Sequence, residues 1–283
     1  MATTICICGA GTMGSGIAQV AAQKGFTTIL FDVSNEMVQK ARLALETTLT
    51  ALETKGKIAE GDKDSIIGRI TFTSNVDDCK ADVIIEAIVE KLEAKVDLFN
   101  KLSSINSPAT IYATNTSSLP IGEIAAAVPE RSHVAGLHFF NPAPLMKLVE
   151  VVAGKDTSPQ VVEQLVELAK QLDKTPVVCK DAPGFIVNRV ARHYYLEAMK
   201  LVELGVADHE TIDKVLEAAG FKMGPFKLMD MIGMDINYGV SNIVWNALGK
   251  PARLTPSPLQ KAKVNNGELG RKTGKGFYNY EKQ

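Results

Sequence analysis

The sequence predicts an α/β protein with a mainly parallel sheet, an inserted helical hairpin and an all-α C-terminal domain. Three observations support this fold class. Short apolar runs alternate with segments of helical spacing, a glycine-rich turn joins the first run to the first helical segment, and the end of the chain is helical in pattern. The 283 residues suffice for two domains, which we place at 1–183 and 184–283 on either side of an Asp-Ala-Pro-Gly break.

Seven segments have the apolar, β-branched character of buried strands. They are Ile5–Cys8, Thr28–Phe31, Val83–Glu86, Thr110–Ala113, Val134–Leu137, Leu148–Val152 and Val177–Cys179. Helical spacing between some of them, as at Gly14–Lys24 and Ser158–Leu172, predicts crossover helices. Near-continuous apolar strands are typical of parallel sheets covered on both faces. After the domain boundary, only Gly276–Tyr278 reads as a further strand.

The connection between Asp32 and Val83 is about 50 residues long, far more than a plain crossover needs. Residues 35–68 therefore predict a helical hairpin that projects from the sheet. Its first helix would cover Asn35–Leu52 and its second Glu60–Gly68, with Lys55, Gly56 and Lys57 near the tip.

Composition narrows the function classes. The 31 basic and 32 acidic side chains leave a formal net charge of −1, so neither nucleic acid nor a membrane surface is a predicted partner. Charged residues, glycine and proline interrupt every apolar stretch before it reaches membrane-spanning length, and no leader precedes the first strand, so we expect a cytoplasmic protein. The four cysteines lack metal-site spacing. We therefore predict buried reduced thiols and no metal.

The first strand runs directly into the fingerprint Gly9-Ala10-Gly11-Thr12-Met13-Gly14. In a Rossmann-type fold, the first glycine permits a tight turn, the second lets a pyrophosphate approach the backbone, and the third allows close helix packing. Asp32 ends the second strand 18 residues after Gly14, where its carboxylate can bind the ribose hydroxyls and repel a 2′-phosphate. The predicted cofactor is NAD.

Polar residues also follow later strands, at the sheet edge where doubly wound folds bind ligands. Asn115 to Ser118 follow one strand, and His138 closes another. Glu150 lies between Val149 and Val151, so its carboxylate needs a buried partner, and we predict His138. The other three histidines, His133, His193 and His209, have an ordinary structural interpretation.

Longer motifs support a specific family. GAGTMGSGIAQ, EAIVE, ATNTSSLP, GLHFFNPAPLMKLVEVV, KDAPGFIVNR and GRKTGKGFYNY occur in order over essentially the whole chain. Together they resemble the L-3-hydroxyacyl-CoA dehydrogenase family. The resemblance implies NAD-dependent, reversible oxidation of an (S)-3-hydroxyacyl-CoA, with 3-hydroxybutyryl-CoA the expected substrate.

The resemblance also implies residue roles. His138 would transfer the proton, Glu150 would orient the imidazole of His138, and Ser117 and Asn188 would hold the substrate oxygen. The residues implied to contact the cofactor are Gly9, Gly11, Thr12, Met13, Gly14, Asp32, Glu90, Lys95, Asn115, Ser117, Asn141 and Lys272. Thr48 and Lys55 in the hairpin match positions that contact CoA.

Structural alternatives stay open for several of these residues. Asn188 could bond only to backbone, Lys55 and Lys57 could form a solvated turn, and Ser117 could be a cap before Leu119 and Pro120. Glu90 and Lys95 are five residues apart, which is poor spacing for a helical ion pair, so we expect separate contacts to a ribose.

Two other functions stay open as alternatives for a chain with this fold. A hydroxy-acid dehydrogenase that does not use CoA would share the fold, and so would a dinucleotide-binding structural or sensor protein without turnover.

Segments Leu228–Met234 and Ile243–Leu248 carry apolar residues around more than one helical face. A helical domain of this size would not easily bury them all, so we expect a homodimer.

Overall fold

One eight-stranded sheet organises the first part of the chain. The computed structural model describes residues 4–126 and 128–280. The strands are β1 (Thr4–Cys8), β2 (Thr27–Phe31), β3 (Ile70–Thr73), β4 (Val83–Glu86), β5 (Ile111–Thr114), β6 (Val134–Phe139), β7 (Leu148–Ala153) and β8 (Thr175–Lys180). Their order is β3-β2-β1-β4-β5-β6-β7-β8, and only the β6–β7 pair is antiparallel.

All seven strands predicted for this region are present, within two residues at each end. The edge strand β3 was not predicted, because its four residues, ITFT, alternate and lack a continuous apolar run. It pairs in parallel with β2. The strand predicted at Gly276–Tyr278 is wrong, since this part of the chain forms only single bridges, between Gly270 and Lys275 and between Lys275 and Asn279.

Six α-helices accompany the sheet in the described part of this unit. They are α1 (Thr12–Gln23), α2 (Asn35–Thr54), α3 (Asp62–Gly68), α4 (Leu92–Ile105), α5 (Ile121–Ala125) and α6 (Pro159–Gln171). The side chains of Ser34 and Ser158 cap α2 and α6 by accepting backbone N–H groups of the first turn. Ile5 and Ile7 of β1 join a core shared with α1, α2 and α6.

The predicted hairpin consists of α2 and α3. Four residues of α2 are buried at helical spacing, namely Val38, Ala41, Leu45 and Leu49, and three of them belong to the main core. The turn after α2 includes Gly56, whose φ of +64° suits glycine. One face of the hairpin therefore packs into the domain core, and the residues around the turn are exposed.

The chain divides into two units, Met1–Asp181 and Ala182–Gln283. The second contains α7 (Val187–Glu203), α8 (His209–Ala218), α9 (Pro225–Ile232), α10 (Met234–Ala247) and α11 (Pro258–Asn265), with its own apolar core. The buried carboxylate of Asp230 accepts the backbone N–H groups of Phe277 and Tyr278 and the hydroxyl of Tyr280. The Asp230 carboxylate thus anchors the GKGFYNY segment to α9.

The cysteines largely match their predicted environment. Cys6, Cys8 and Cys79 are buried, whereas Cys179 is partly exposed, which corrects the expectation for that residue. The three buried sulfur atoms lie within 4.8 Å of one another. Among the described residues, no helix has both the length and the apolar character that crossing a membrane requires.

Candidate active site

The glycine-rich turn between β1 and α1 has a different steric reason for each glycine. Gly9 has a φ of +110°, and a Cβ there would lie 2.5 Å from the carbonyl oxygen of Ala87. A Cβ on Gly14 would overlap the carbonyl oxygen of Gly9. Gly11, in contrast, has nothing within 4 Å of its Cβ direction. Two glycines thus close the turn, and the third leaves open space beside the first turn of α1.

Asp32 lies beside this turn, as predicted. One carboxylate oxygen accepts the backbone N–H of Ala10 at 2.9 Å, and the other accepts that of Ser34 at 3.0 Å. Each carboxylate oxygen keeps a further acceptor position for a hydroxyl group. The open space at Gly11, the N-terminus of α1 and the Asp32 carboxylate together fit a dinucleotide with free ribose hydroxyls.

His138 and Glu150 are brought together by strand register. The β6–β7 ladder places the two residues directly opposite each other, and His138 Nδ1 lies 2.8 Å from Glu150 Oε2. Both side chains are at least 95% buried. Because an ionised carboxylate can only accept, Nδ1 carries the hydrogen. A neutral His138 therefore presents Nε2 as an acceptor, and Ser117 Oγ lies 3.2 Å from it.

A single carboxylate holds the segment that carries Ser117. Glu90 Oε1 accepts the hydroxyls of Thr116 and Ser118, at 2.6 and 2.9 Å, and the backbone N–H of Ser117 at 3.0 Å. Burial raises the pKa of the Glu90 carboxyl, but the Lys95 charge and the two hydroxyls outweigh it and hold that pKa below its usual value. Glu90 thus stays ionised and fixes the position of Ser117.

Lys95 joins Glu90 to a second, fully buried carboxylate that sequence reasoning missed. Lys95 Nζ lies 2.6 Å from Glu86 Oε1 and 3.2 Å from Glu90 Oε2. Glu86 also accepts the Thr114 hydroxyl at 2.6 Å and the Ile88 N–H at 2.7 Å. A charged residue closing the apolar strand VIIE was the available signal, because a buried charge requires partners.

The spacing argument against an ion pair between Glu90 and Lys95 is wrong, since the two side chains form one, whereas the ribose contacts expected of these residues stay a prediction. The helical spacing rule does not apply to them. Helix α4 begins at Leu92, so Glu90 lies in the preceding loop and can fold back toward Lys95. Lys95 is 1% exposed, and its ammonium group bonds to two carboxylates.

The other predicted residues of the first unit lie at a strand end or along a cleft beside the glycine turn. Asn115 accepts the backbone N–H of Phe139 at 2.8 Å, which ties the end of β5 to β6. A cleft of about 460 Å³ is lined by Gly11, Thr12, Thr48 and Asn141. Lys40, two turns before Thr48 on α2, also lines it and was not predicted.

The β6–β7 loop that borders this cleft is held by a buried lysine. Lys174 Nζ donates to the carbonyl oxygens of Ala143 and Met146, at 2.6 and 3.0 Å. A Cβ on Gly16 of α1 would lie 3.1 Å from Pro144 of the same loop. The loop therefore packs closely on the helix that the glycine turn opens.

The remaining predicted site residues have different surroundings. Lys55 is exposed at the C-terminal end of α2, as is Lys57 in the turn. In the second unit, Asn188 is half-buried in the first turn of α7. Lys272 forms an ion pair with both oxygens of Asp235, at 2.6 and 2.7 Å. The ligand contacts proposed for Lys55, Asn188 and Lys272 stay predictions.

Comparison with known proteins identifies the family. The NAD-binding domain of 3-hydroxyacyl-CoA dehydrogenase matches residues 4–182, and the C-terminal domain of the same enzyme matches residues 184–280. The chain belongs to the 3-hydroxyacyl-CoA dehydrogenase family. The predicted family, its Rossmann-type NAD-binding domain and its helical C-terminal domain are confirmed.

Individual members of this family are similar over the whole chain. A 3-hydroxyadipyl-CoA dehydrogenase of Escherichia coli is 45% identical over 98% of this chain, which spans 59% of that protein's length. A probable 3-hydroxybutyryl-CoA dehydrogenase of Deinococcus radiodurans is 41% identical over 97% of this chain and 99% of its own. The crystal structure of (S)-3-hydroxybutyryl-CoA dehydrogenase from Ralstonia eutropha matches with a TM-score of 0.95 at 37% identity and covers 100% of both chains.

Proposed function

We propose that this protein reversibly oxidises (S)-3-hydroxyacyl-CoA esters, with 3-hydroxybutyryl-CoA as a substrate, to 3-ketoacyl-CoA esters with NAD. The observation that carries the proposal is the buried contact series from Glu150 through His138 to Ser117. Hydride leaves an alcohol carbon only as the hydroxyl proton departs, so the reaction needs a base near the oxygen. The names of the similar dehydrogenases support a CoA ester as the substrate.

His138 is the proposed base. Its Nε2 accepts the hydroxyl proton, and Glu150 holds the opposite nitrogen and stabilises the imidazolium that results. Ser117 Oγ, now 3.2 Å from Nε2, is placed to donate to the reacting oxygen. In the reverse direction, protonated His138 acts as the acid. The resemblance adds Asn188 as a second donor to that oxygen.

NAD, when bound, supplies the hydride acceptor. The residues proposed to hold it are those of the glycine turn, Asp32, and Asn115 and Asn141 at the carboxyl ends of the strands. Glu90 and Lys95 contribute by fixing the Ser117 segment and by bordering the same edge of the sheet. Thr48 and Lys55 are proposed to bind the nucleotide end of CoA, and Lys40 extends this set because it shares the cleft with Thr48.

An absorbance assay at 340 nm tests the function and its rivals together. We expect NADH oxidation with acetoacetyl-CoA but not with acetoacetate, which lacks the CoA group. His138→Gln should lower kcat by about 10²-fold or more, the usual scale for losing a general acid or base. Turnover of acetoacetate alone would favour a dehydrogenase that does not use CoA. NADH binding without any turnover would favour a structural or sensor protein.

A homodimer and a cytoplasmic location belong to the same proposal. The dimer is supported by exposed apolar side chains on α9 and α10, namely Met231, Ile236 and Ile243. Exposed apolar side chains on successive helices are typical of a surface that a partner covers. Sedimentation at micromolar concentration that gives only the 30.5 kDa species would exclude the dimer.

A further inference from the structure

The first unit has an open cavity, separate from the candidate active site, whose lining carries more cationic than acidic side chains. This basic cavity has a volume of about 400 Å³ and is lined by α1, α3, the β6–β7 loop and the turn after α6. Its cationic residues are Lys24, Arg69, Lys147 and Lys174, and its acidic residues are Asp62 and Asp173. The lining thus has a formal excess of two positive charges, in a chain whose formal net charge is −1.

The three lysines of the basic cavity share one carboxylate. Asp173 Oδ2 lies 2.7 Å from Lys147 Nζ and 3.6 Å from Lys24 Nζ. Lys174 is 8% exposed, and its ammonium group donates to two carbonyl oxygens of the β6–β7 loop. Burial lowers the pKa of Lys174, and the charges of Lys147 and Lys24 lower it further against the opposing effect of Asp173. A second anion in the cavity would relieve this crowding of like charges.

The fourth cation, Arg69, has hydrogen-bond donors to spare. Its side chain is exposed, and Nη1 donates to the carbonyl oxygen of Ala22 at 3.2 Å. Within residues 4–126 and 128–280, Nε and Nη2 donate to no group. The Asp62 carboxylate, in contrast, accepts the backbone N–H of Ala59 at 2.9 Å near the start of α3. Arg69 can therefore bind a ligand oxygen without losing an ion pair.

The charge and size of the basic cavity indicate the class of ligand. A phosphate monoester carries a charge of about −1.5 to −2 near pH 7 and has three acceptor oxygens, whereas a carboxylate carries a single charge. Guanidinium and ammonium groups are the usual protein partners of phosphate. A volume of about 400 Å³ also lies in the range of small-molecule sites. Of these two anions, a phosphate matches the excess charge of the cavity.

We propose that the basic cavity binds a phosphate group, with Lys147 and Arg69 as direct contacts and Lys174 as a nearby positive charge. The phosphate has two possible sources. Pro144 lines both this cavity and the cleft beside the glycine turn, so a phosphate of CoA bound in that cleft is one source. A free phosphate compound is the other. The proposal goes beyond the proposed function, since only the first source depends on CoA binding.

A purely structural role is the competing explanation, because Lys147 and Lys174 also hold the β6–β7 loop in place. Two exposed positions separate the explanations. Lys147→Gln removes a cation, and Asp173→Asn removes the internal anion that competes with a ligand. Asp173 has a φ of +57°, which asparagine also adopts readily. Lys101→Gln and Asp97→Asn, at exposed sites on α4 outside the cavity, are controls with the same changes in charge.

The probe is inorganic pyrophosphate, titrated by calorimetry into the full chain in the presence of saturating NADH, so that the glycine turn is already occupied. We expect Lys147→Gln to weaken pyrophosphate binding by about fivefold or more, the scale of one unit charge about 4 Å away in water. Asp173→Asn should strengthen binding by a similar factor. The two α4 controls should stay within about twofold of the unmodified protein, because added salt screens distant charges.

Two further measurements identify the source of the phosphate, and either result supports the site. Competition between pyrophosphate and acetoacetyl-CoA, with a raised KM for this ester in Lys147→Gln, would assign the cavity to a phosphate of CoA. Pyrophosphate binding that persists with the ester bound would assign it to a free phosphate compound. Two results would overturn the inference: no pyrophosphate binding by the unmodified protein, or affinities that change no more in Lys147→Gln and Asp173→Asn than in the α4 controls.

Discussion

Lys95→Met should destabilise the first unit far more than a typical loss of an ion pair. The Lys95 ammonium lies between two carboxylates, at 2.6 Å from Glu86 and 3.2 Å from Glu90, and both Lys95 and Glu86 are at least 99% buried. Methionine has a similar length and no charge, so the substitution removes the cation and leaves little cavity. Glu86 would then keep a buried negative charge with only neutral donors, Ile88 N–H and the Thr114 hydroxyl.

The expected magnitude follows from that environment. Removing one partner of a buried ion pair lowers the free energy of unfolding by about 3–5 kcal/mol. Because two donors to Glu86 remain, we expect a loss at the lower end of this range. In a unit of this size, each kcal/mol lowers the unfolding midpoint by about 2–4 °C, so we expect a decrease of at least about 6 °C. The double variant Lys95→Met with Glu86→Gln should recover much of it, because the unpaired charge is gone.

Scanning calorimetry is the suitable assay, since the single tryptophan, Trp245, lies in the second unit and does not report on the first. Lys170→Met on α6 is a matched control. Its ion pair with Glu167 spans 3.8 Å, with both side chains more than half exposed, and it should leave the midpoint within error. Equal midpoints for Lys95→Met and Lys170→Met would refute the reasoning, as would a double variant less stable than the single one.

Three further predictions concern the glycine turn, cofactor choice and acid stability. Gly11→Ala should keep the unfolding midpoint and weaken NADH binding, measured by fluorescence. Gly14→Ala should lower the unfolding midpoint, because of these two methyl groups only the one at position 14 overlaps backbone. Identical behaviour of the two variants would contradict the separate roles given to the two glycines. Asp32→Ala with Val33→Arg, at an exposed site, should shift the NADH/NADPH ratio of kcat/KM toward NADPH by about tenfold or more, and an unchanged ratio would remove Asp32 from the ribose site. The pKa of Glu90 is lowered in the folded protein, so its ionised form contributes stability that is complete above about pH 4.3 and is lost as the pH falls through the folded-state pKa. The unfolding midpoint of the unmodified protein should therefore fall more steeply in acid than that of Glu90→Gln. Parallel curves of midpoint against pH for the two proteins would count against this prediction.

The features that sequence reasoning predicted are those encoded in local pattern. Central strands are buried on both faces, so they appear as apolar runs, whereas the edge strand β3 alternates and was missed. The pairing of His138 with Glu150 could be inferred because a carboxylate flanked by valines in a strand needs a buried partner. In the structure, the register between β6 and β7 places His138 Nδ1 2.8 Å from Glu150 Oε2.

Features that depend on packing between distant elements were not predictable in this way. The contact of Lys95 with Glu86 depends on how α4 rests against the sheet, and nine residues separate the pair without a shared periodicity. The strand expected at Gly276–Tyr278 failed for a related reason. Its backbone N–H groups bond to the Asp230 carboxylate from α9, and nothing local to the segment indicates that partner.

The reversed direction of β7 separates two tasks within one short stretch of chain. Backbone bonds between β6 and β7 set the distance between His138 and Glu150, whereas residues 141–144 of the connecting loop line the cleft, and Lys174 holds this loop through Ala143 and Met146. A slip of one residue in the ladder would turn Glu150 to the opposite face of the sheet. Changes in the connecting loop carry no such penalty, so ligand contacts there can be altered while the proton-transfer pair keeps its geometry.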